Sequence, residues 1–231
     1  VVLVTGGTGG LGRAVSLAFL GDGATVVVTY RVQAEYDALV EAAGAAAARL
    51  SGARTDVTDE AAVRALVDDI VAKQGRLDAL VNTVGGYAGG ANVVDGDGSA
   101  LDRMLALNLR SGYALARTVV PGMVQRGSGA IVNIAAKSGL DHPAGAGAYA
   151  ASKAAAIALM DSLAAELRGT GVRVNSVLPS IIDTPANRAA MPNADYASWP
   201  KPEDIANVIL FLCSAEAKVI HGASIPVYGD R

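Results

Sequence analysis

The sequence predicts an α/β fold, a single domain in which a doubly wound parallel sheet of about seven strands carries helices on both faces. Three observations predict it. Short β-branched runs alternate with helical stretches along the whole chain, most of these runs are apolar at every position, and a glycine-rich turn joins the first run to the first helical stretch. A strand that is apolar throughout has both faces covered, and strands alternating with helices specify a parallel sheet with right-handed crossovers. At 231 residues the chain suits one large domain or two small ones, given about 150 residues per domain. No linker or internal repeat divides it, so residues 1–231 are read as one domain.

Val1-Val-Leu-Val is the first strand, and the turn Thr5-Gly-Gly-Thr-Gly-Gly-Leu-Gly-Arg opens a helix over 11–20. Thr25-Val-Val-Val-Thr is the second strand, followed by a helix over 36–48 with an alanine-rich end. A weaker strand lies near Ala53-Arg-Thr, and a helix covers 60–73. Leu77-Asp-Ala-Leu-Val, Ala130-Ile-Val-Asn-Ile and Val172-Arg-Val-Asn-Ser-Val supply three more strands, separated by helices over 101–126 and 149–168. A helix over 203–214 precedes the last strand, Ser224-Ile-Pro-Val. Two segments break the alternation: residues 85–99 are rich in glycine and small polar side chains, and residues 179–202 are rich in proline and lack periodicity. Both follow predicted strands and emerge at the carboxyl edge of the sheet, where open α/β folds bind ligands. Long loops in compact domains are commonly lids or binding loops, and 179–202 is read as the substrate loop.

Apolar residues make up 52% of the chain, enough for a sizeable core. A formal charge of −3 and a pI near 5.4 give no electrostatic case for a nucleic-acid partner. Cys213 is the only cysteine, and its apolar setting reads as a buried thiol in a reducing compartment. His142 and His221 are far apart and read as loop residues; no cluster has metal-ligand spacing, so no metal is expected. No apolar run approaches the roughly 18 residues of a membrane span, and no signal peptide precedes the first strand. The expectation is a cytoplasmic protein without a membrane partner, with a short leader before Val1, which is not an initiator Met.

The glycine turn carries the first chemistry. Its glycines fit two registers, Gly7, Gly9 and Gly12 as Gly-x-Gly-x-x-Gly, or Gly6, Gly10 and Gly12 as Thr-Gly-x-x-x-Gly-x-Gly. In either, bare backbone approaches a pyrophosphate at a helix N-terminus. The strand, turn and helix context makes this a dinucleotide site, with Thr8 and Leu11 beside the glycines. The alternative is a glycine-rich turn without a ligand. An acid about 20 residues on normally binds the ribose 2′-hydroxyl of NADH, but here the second strand ends Thr29-Tyr30-Arg31, with no acid until Glu35. Tyr30 is expected to lie against adenine, and Arg31 to pair with a 2′-phosphate, favouring NADP(H) over NAD(H).

Tyr149 and Lys153 stand four residues apart, on one face of a helix. A free phenol has a pKa of about 10, and a nearby cation favours the phenolate, bringing proton exchange nearer to neutral pH. Such a pair is a proton-transfer device; its bland reading is a half-buried tyrosine beside a solvated lysine.

With the glycine loop in front and Tyr149/Lys153 behind, the chain resembles the short-chain dehydrogenase/reductase family along essentially its whole length. The resemblance implies a Rossmann-type fold and NAD(P)-dependent oxidoreductase activity, with residue roles as follows. Asp56 and Val57 contact adenine; Asn82 and Gly85 lie in a cofactor-binding stretch, where Thr83 and Val84 depart from the family's residues. Asn108 anchors a water relay to Lys153. Pro179, Ile182 and Thr184 border the nicotinamide, with Thr184 holding its amide and Ser180 replacing a glycine. Equivalents of the helices over 101–126 and 149–168 pair between subunits, implying a homodimer or homotetramer.

One departure matters more than the matches. The family's catalytic serine, which hydrogen-bonds the substrate carbonyl, normally lies thirteen residues before the tyrosine, and this chain has Ala136 there. Ser138 is a possible substitute. Residues 183–199 and 84–90 resemble the corresponding loops of dihydropteridine reductases, which also lack that serine. That resemblance implies hydride transfer to a small planar substrate such as a quinonoid dihydropterin, with Tyr149 as proton donor, Tyr87 stacked on the ring, and Asn187, Met191 and Trp199 closing over it. Alternatives are a carbonyl or quinone reductase or a sugar or alcohol dehydrogenase of the same family, and an NAD(P)-binding sensor or scaffold without turnover.

Overall fold

The structure, a computed structural model, describes residues 1–230; of the predicted domain only Arg231 lies outside them. Its strands are β1 (Val2–Thr5), β2 (Val26–Tyr30), β3 (Leu50–Arg54), β4 (Ala79–Asn82), β5 (Gly129–Ile134), β6 (Val172–Pro179) and β7 (Ser224–Val227). All pair in parallel, in the order β3-β2-β1-β4-β5-β6-β7. The chain leaves β1 toward β2 on one side and returns to β4 on the other. The gap between β1 and β4 is therefore the topological switch point, where ligands bind such sheets.

The apolar strands divide their side chains between two cores because successive residues point to opposite faces. Val2, Val4, Val26 and Val28 pack under α1 (Gly10–Gly21), α2 (Gln33–Ala43) and α9 (Pro202–Cys213). Leu3, Leu80, Ile131 and Val174 pack on the other face under α3 (Glu60–Gln74), α5 (Ser111–Arg126) and α7 (Gly147–Glu166). Each fully buried side chain contributes about 1.5–3 kcal/mol. Among the described residues no helix is long and apolar enough to cross a membrane. Burial pushes the Cys213 thiol up to about 12, so it stays protonated and unreactive.

Three elements differ from the expectations. The weak strand covers 50–54 and not 53–55. The helix over 36–48 splits because Gly44, at φ 51°, ends α2 and starts a 3₁₀ turn. The helix over 101–126 is α4 (Gly98–Leu105), a π turn (Ala106–Arg110) and α5; such π turns frequently mark functional sites. The substrate loop is also ordered. It contains α8 (Pro185–Ala190), started by Pro185 and capped by the Thr184 hydroxyl, which accepts the Asn187 N–H at 3.2 Å.

Candidate active site

The glycine turn follows β1 at the switch point. Gly6 has φ 67°, which only glycine adopts freely. A Cβ on Gly12 would lie 2.0 Å from the Gly6 carbonyl oxygen, and one on Gly10 would lie 2.8 Å from Cγ2 of Thr184 in the substrate loop. Gly9 would meet only the Gly6 oxygen, at an ordinary 3.4 Å. A Cβ on Gly7 would lie 2.5 Å from Val28 Cγ1, so of the glycines in this turn only Gly9 leaves room for a side chain, which counts against the first register and selects the second. Gly9 caps α1 without any side-chain hydrogen bond, leaving the first N–H groups of that helix free for an anion. Bare backbone at an uncapped helix start fits a dinucleotide pyrophosphate. Thr83, at a position where the chain departs from the family residue, donates its hydroxyl to the Thr5 carbonyl at 2.7 Å and holds the turn to β4.

At the ends of β2 and β3 lie the residues expected around the adenosine. Tyr30 stacks on Tyr36, with centroids 4.7 Å apart and planes at 12°, so one of its ring faces is already covered. Arg31 is exposed. The Asp56 carboxylate accepts from the backbone N–H and hydroxyl of Thr58; these bonds, and Arg31 less strongly, hold its pKa low. Val57 is buried. Sequence reasoning passed over Glu35, whose carboxylate accepts the Thr8 hydroxyl at 3.0 Å and reaches the glycine turn from α2. Glu35 is the first acid after the second strand, but its partner lies 27 residues away, so the contact itself is not legible in the sequence.

The reacting groups converge from α7, the π turn and the end of β5. Lys153 is buried and its Nζ donates to the Ile134 carbonyl at 2.8 Å. The π turn aims Asn108 inward: its Oδ1 accepts the Gly86 N–H at 2.9 Å, and its Nδ2 donates to the Gly86 carbonyl at 3.0 Å and to Ser152 Oγ at 2.9 Å. Ser152, another residue that sequence reasoning missed, donates to the Tyr149 carbonyl at 2.7 Å and ties Asn108 to α7. A Cβ on Gly85 would lie 2.9 Å from Asn108 Oδ1 and 3.3 Å from Lys153 Nζ, so the bare glycine brings both groups to one point.

The expected downward pull on the Tyr149 phenol is absent. Burial, and to a smaller extent the Tyr87 phenol, push Tyr149 up to about 12. Lys153 is committed to Ile134 O and its Nζ lies 6.0 Å from the Tyr149 ring centroid. In so buried a place desolvation outweighs a cation at that distance, and Tyr149 is a protonated acid at neutral pH.

Around this pair, Tyr87 meets Tyr149 edge to face, with ring centroids 5.0 Å apart. Ala136 is buried, and Ser138 begins the short helix α6 (Ser138–Asp141) without a hydrogen bond or ring contact to Tyr149. The other expected substrate and cofactor residues hold their own surroundings together. Asn187 Nδ2 donates to the Ile182 carbonyl at 2.8 Å, Tyr196 donates to the Met191 carbonyl at 3.0 Å, and Trp199, 3% exposed, packs beside Tyr196. Pro179, at the end of β6, accepts the Lys137 N–H at 2.8 Å. Asn82, expected toward the cofactor, is buried: its amide accepts from Thr5 Oγ1 at 2.7 Å and donates to Asn133 Oδ1 at 2.9 Å, pinning β1, β4 and β5.

The family model of the short chain dehydrogenases matches residues 1–195. This chain belongs to the short-chain dehydrogenase/reductase family. It is 34% identical over 237 residues to 3-oxoacyl-[acyl-carrier-protein] reductase FabG of Thermotoga maritima, covering 99% of this chain and 96% of that protein. It is also 34% identical to D-threitol dehydrogenase of Mycolicibacterium smegmatis, covering 99% and 91%. Among solved structures, ElxO with NADP bound superposes with a TM-score of 0.93 at 28% identity, covering 99% of this chain and 96% of that one. The chain is accordingly an NAD(P)-dependent oxidoreductase of small molecules.

In this short-chain dehydrogenase the buried lysine carries a stability signature. Burial lowers Lys153 from 10.5 to about 8. Between about pH 8 and 10.5 the unfolded chain binds the proton that the fold releases, so stability rises with pH there. The full difference is about 3 kcal/mol at about 1.4 kcal/mol per pH unit. Urea denaturation of wild type and Lys153→Met at pH 7 and pH 10.5 is expected to show the wild type gaining about that much relative to the variant; Tyr149, common to both, cancels. A pH-independent difference would refute the buried ammonium.

Proposed function

We propose that this enzyme is an NADPH-preferring reductase that transfers hydride to a small planar electrophile, of which a quinonoid dihydropterin is the type, with Tyr149 as the proton donor. The observation that carries this reading is Ala136, buried at 6% exposure at the position where the family's serine would orient a carbonyl oxygen, together with a Tyr149 that burial keeps protonated. Losing one oxyanion donor costs about 3–4 kcal/mol in carbonyl chemistry. A substrate that is already electron-poor and has no carbonyl oxygen to clamp avoids that cost.

When bound, the reduced nicotinamide supplies the hydride. The backbone of Gly6, Thr8, Gly10, Leu11 and Gly12 holds the pyrophosphate, Arg31 pairs with the 2′-phosphate, and Asp56 and Val57 border the adenine. Pro179, Ile182 and Thr184 position the carboxamide, Lys153 binds the ribose, and Asn108 holds the relay that returns a proton to Tyr149. General acid catalysis of this kind contributes about 10²–10⁴ in rate. Arg31 at the end of β2 supports NADPH, as does the NADP bound by ElxO. Exposed Tyr113 and Val124 on α5 support a homodimer or homotetramer, and a cytoplasmic location completes the reading.

A second reading, reduction of a carbonyl or oxidation of an alcohol, is favoured by the names of the relatives, a 3-oxoacyl reductase and a threitol dehydrogenase. Initial rates with NADH and NADPH against quinonoid dihydropterin, simple ketones, cyclic diketones and quinones separate the two. The proposal expects the highest kcat/KM with NADPH and the pterin. No rate with the pterin beside clear turnover of a carbonyl would establish the second reading instead.

A further inference from the structure

A carbonyl substrate would need a second hydrogen-bond donor, and Ala136 has none. We propose that the Tyr87 hydroxyl is that donor, a catalytic group that takes the place of the missing serine. The inference rests on Tyr149 as proton donor and concerns the carbonyl chemistry of the second reading.

Four observations support it. Tyr87 lies edge to face on Tyr149, with centroids 5.0 Å apart and planes at 71°, so the two phenols border one space. Tyr87 is 69% exposed and no hydrogen bond among the described residues uses its hydroxyl, so that group is open to a substrate arriving from solvent. The ring is nevertheless held in place. A Cβ on Gly89 would lie 2.1 Å from the Tyr87 hydroxyl oxygen, so the chain folds back on the phenol through bare backbone, and Gly90 N–H donates to the Gly145 carbonyl at 2.8 Å, tying this loop to the segment that enters α7. Finally, the Tyr87 phenol lies near enough to Tyr149 to raise its pKa electrostatically. Ser138, the other hydroxyl near Ala136, shares none of these relations with Tyr149.

In the reaction the carbonyl carbon takes the hydride supplied by the bound nicotinamide, and the carbonyl π pair moves to oxygen. That oxygen takes the proton of Tyr149. Tyr87 keeps its own proton and donates only a hydrogen bond to the oxygen while negative charge develops there, as an oxyanion-hole donor does.

The test uses the full-length enzyme with NADPH and a cyclic diketone, measuring kcat, KM and, by fluorescence, the Kd for NADPH in Tyr87→Phe, Ala136→Ser, the double variant and Ser138→Ala. Tyr87→Phe is expected to lower kcat on the order of 10²-fold with the NADPH Kd unchanged. Ala136→Ser is expected to restore at least about tenfold in that background while changing wild-type kcat by less than about threefold, the non-additivity of two groups that share one role. A normal kcat in Tyr87→Phe, a change in KM alone, a loss that Ala136→Ser does not rescue, or a large loss in Ser138→Ala with Tyr87→Phe unaffected would each overturn the proposal. So would a wild-type enzyme that reduces the pterin and no carbonyl. Turnover that survives Tyr149→Phe would instead refute the proton-donor reading, so the two failures are distinguishable.

Discussion

Tyr149→Phe is expected to lower kcat by about 10²–10⁴-fold, the contribution of a positioned general acid, with NADPH binding unchanged within about twofold, a change worth only about 0.4 kcal/mol. The structure isolates this effect well. Phenylalanine keeps the ring and the backbone carbonyl that accepts Ser152 Oγ, so the Asn108–Ser152 link survives. Lys153 is anchored on Ile134 O and not on the phenol. The variant therefore removes one hydroxyl, the one that burial holds protonated at about 12. NADPH oxidation followed by absorbance, together with nucleotide binding followed by fluorescence, checks it. A kcat within threefold of wild type would show that another group delivers the proton.

The second large effect is expected from Gly12→Ala. The new methyl would lie 2.0 Å from the Gly6 carbonyl oxygen and 2.8 Å from the Thr83 hydroxyl. Neither yields easily, because Gly6 is fixed by its N–H bond to Thr29 Oγ1 at 2.9 Å and Thr83 by its bond to Thr5 O. Overpacking of this kind costs about 1–3 kcal/mol or more, and here it displaces the turn that would hold the pyrophosphate. Chemical denaturation should show a loss at or above the top of that range, and calorimetry should show NADPH affinity reduced by at least about a hundredfold, or about 2.7 kcal/mol. Gly9→Ala is the matched control: its methyl meets only ordinary contact at 3.4 Å, and stability and affinity should remain near wild type. Equal damage from both substitutions would mean that the register assigned to the turn is wrong.

Much of this is legible in the sequence. The strand runs, the crossover helices and the glycine turn are local patterns, and each lies where the alternation placed it. Tyr149 and Lys153 are separated by one helical turn, so their shared face follows from spacing alone. The boundaries that went astray did so at backbone conformations that composition does not report, namely the positive φ of Gly44 and the π turn around Asn108. Nor does its motif position report that the Asn82 side chain closes a buried bridge to residues 77 and 51 positions away.

The sequence by itself determined the doubly wound parallel sheet, the place of the glycine turn after its first strand, the phenol and amine of Tyr149 and Lys153 on one helix, and the alanine at position 136. These depend on period, residue type and short spacing, which the chain carries locally. Only the tertiary structure decided that Gly9 is the one glycine of the turn with room for a side chain, that Tyr149 is pushed up and not down, that Lys153 rests on Ile134, and that Tyr87 stands beside Tyr149. Each of these is set by how far apart two distant segments come to rest and how much water they exclude. Desolvation and close contact act over a few ångströms in space, and distance along the chain does not encode them.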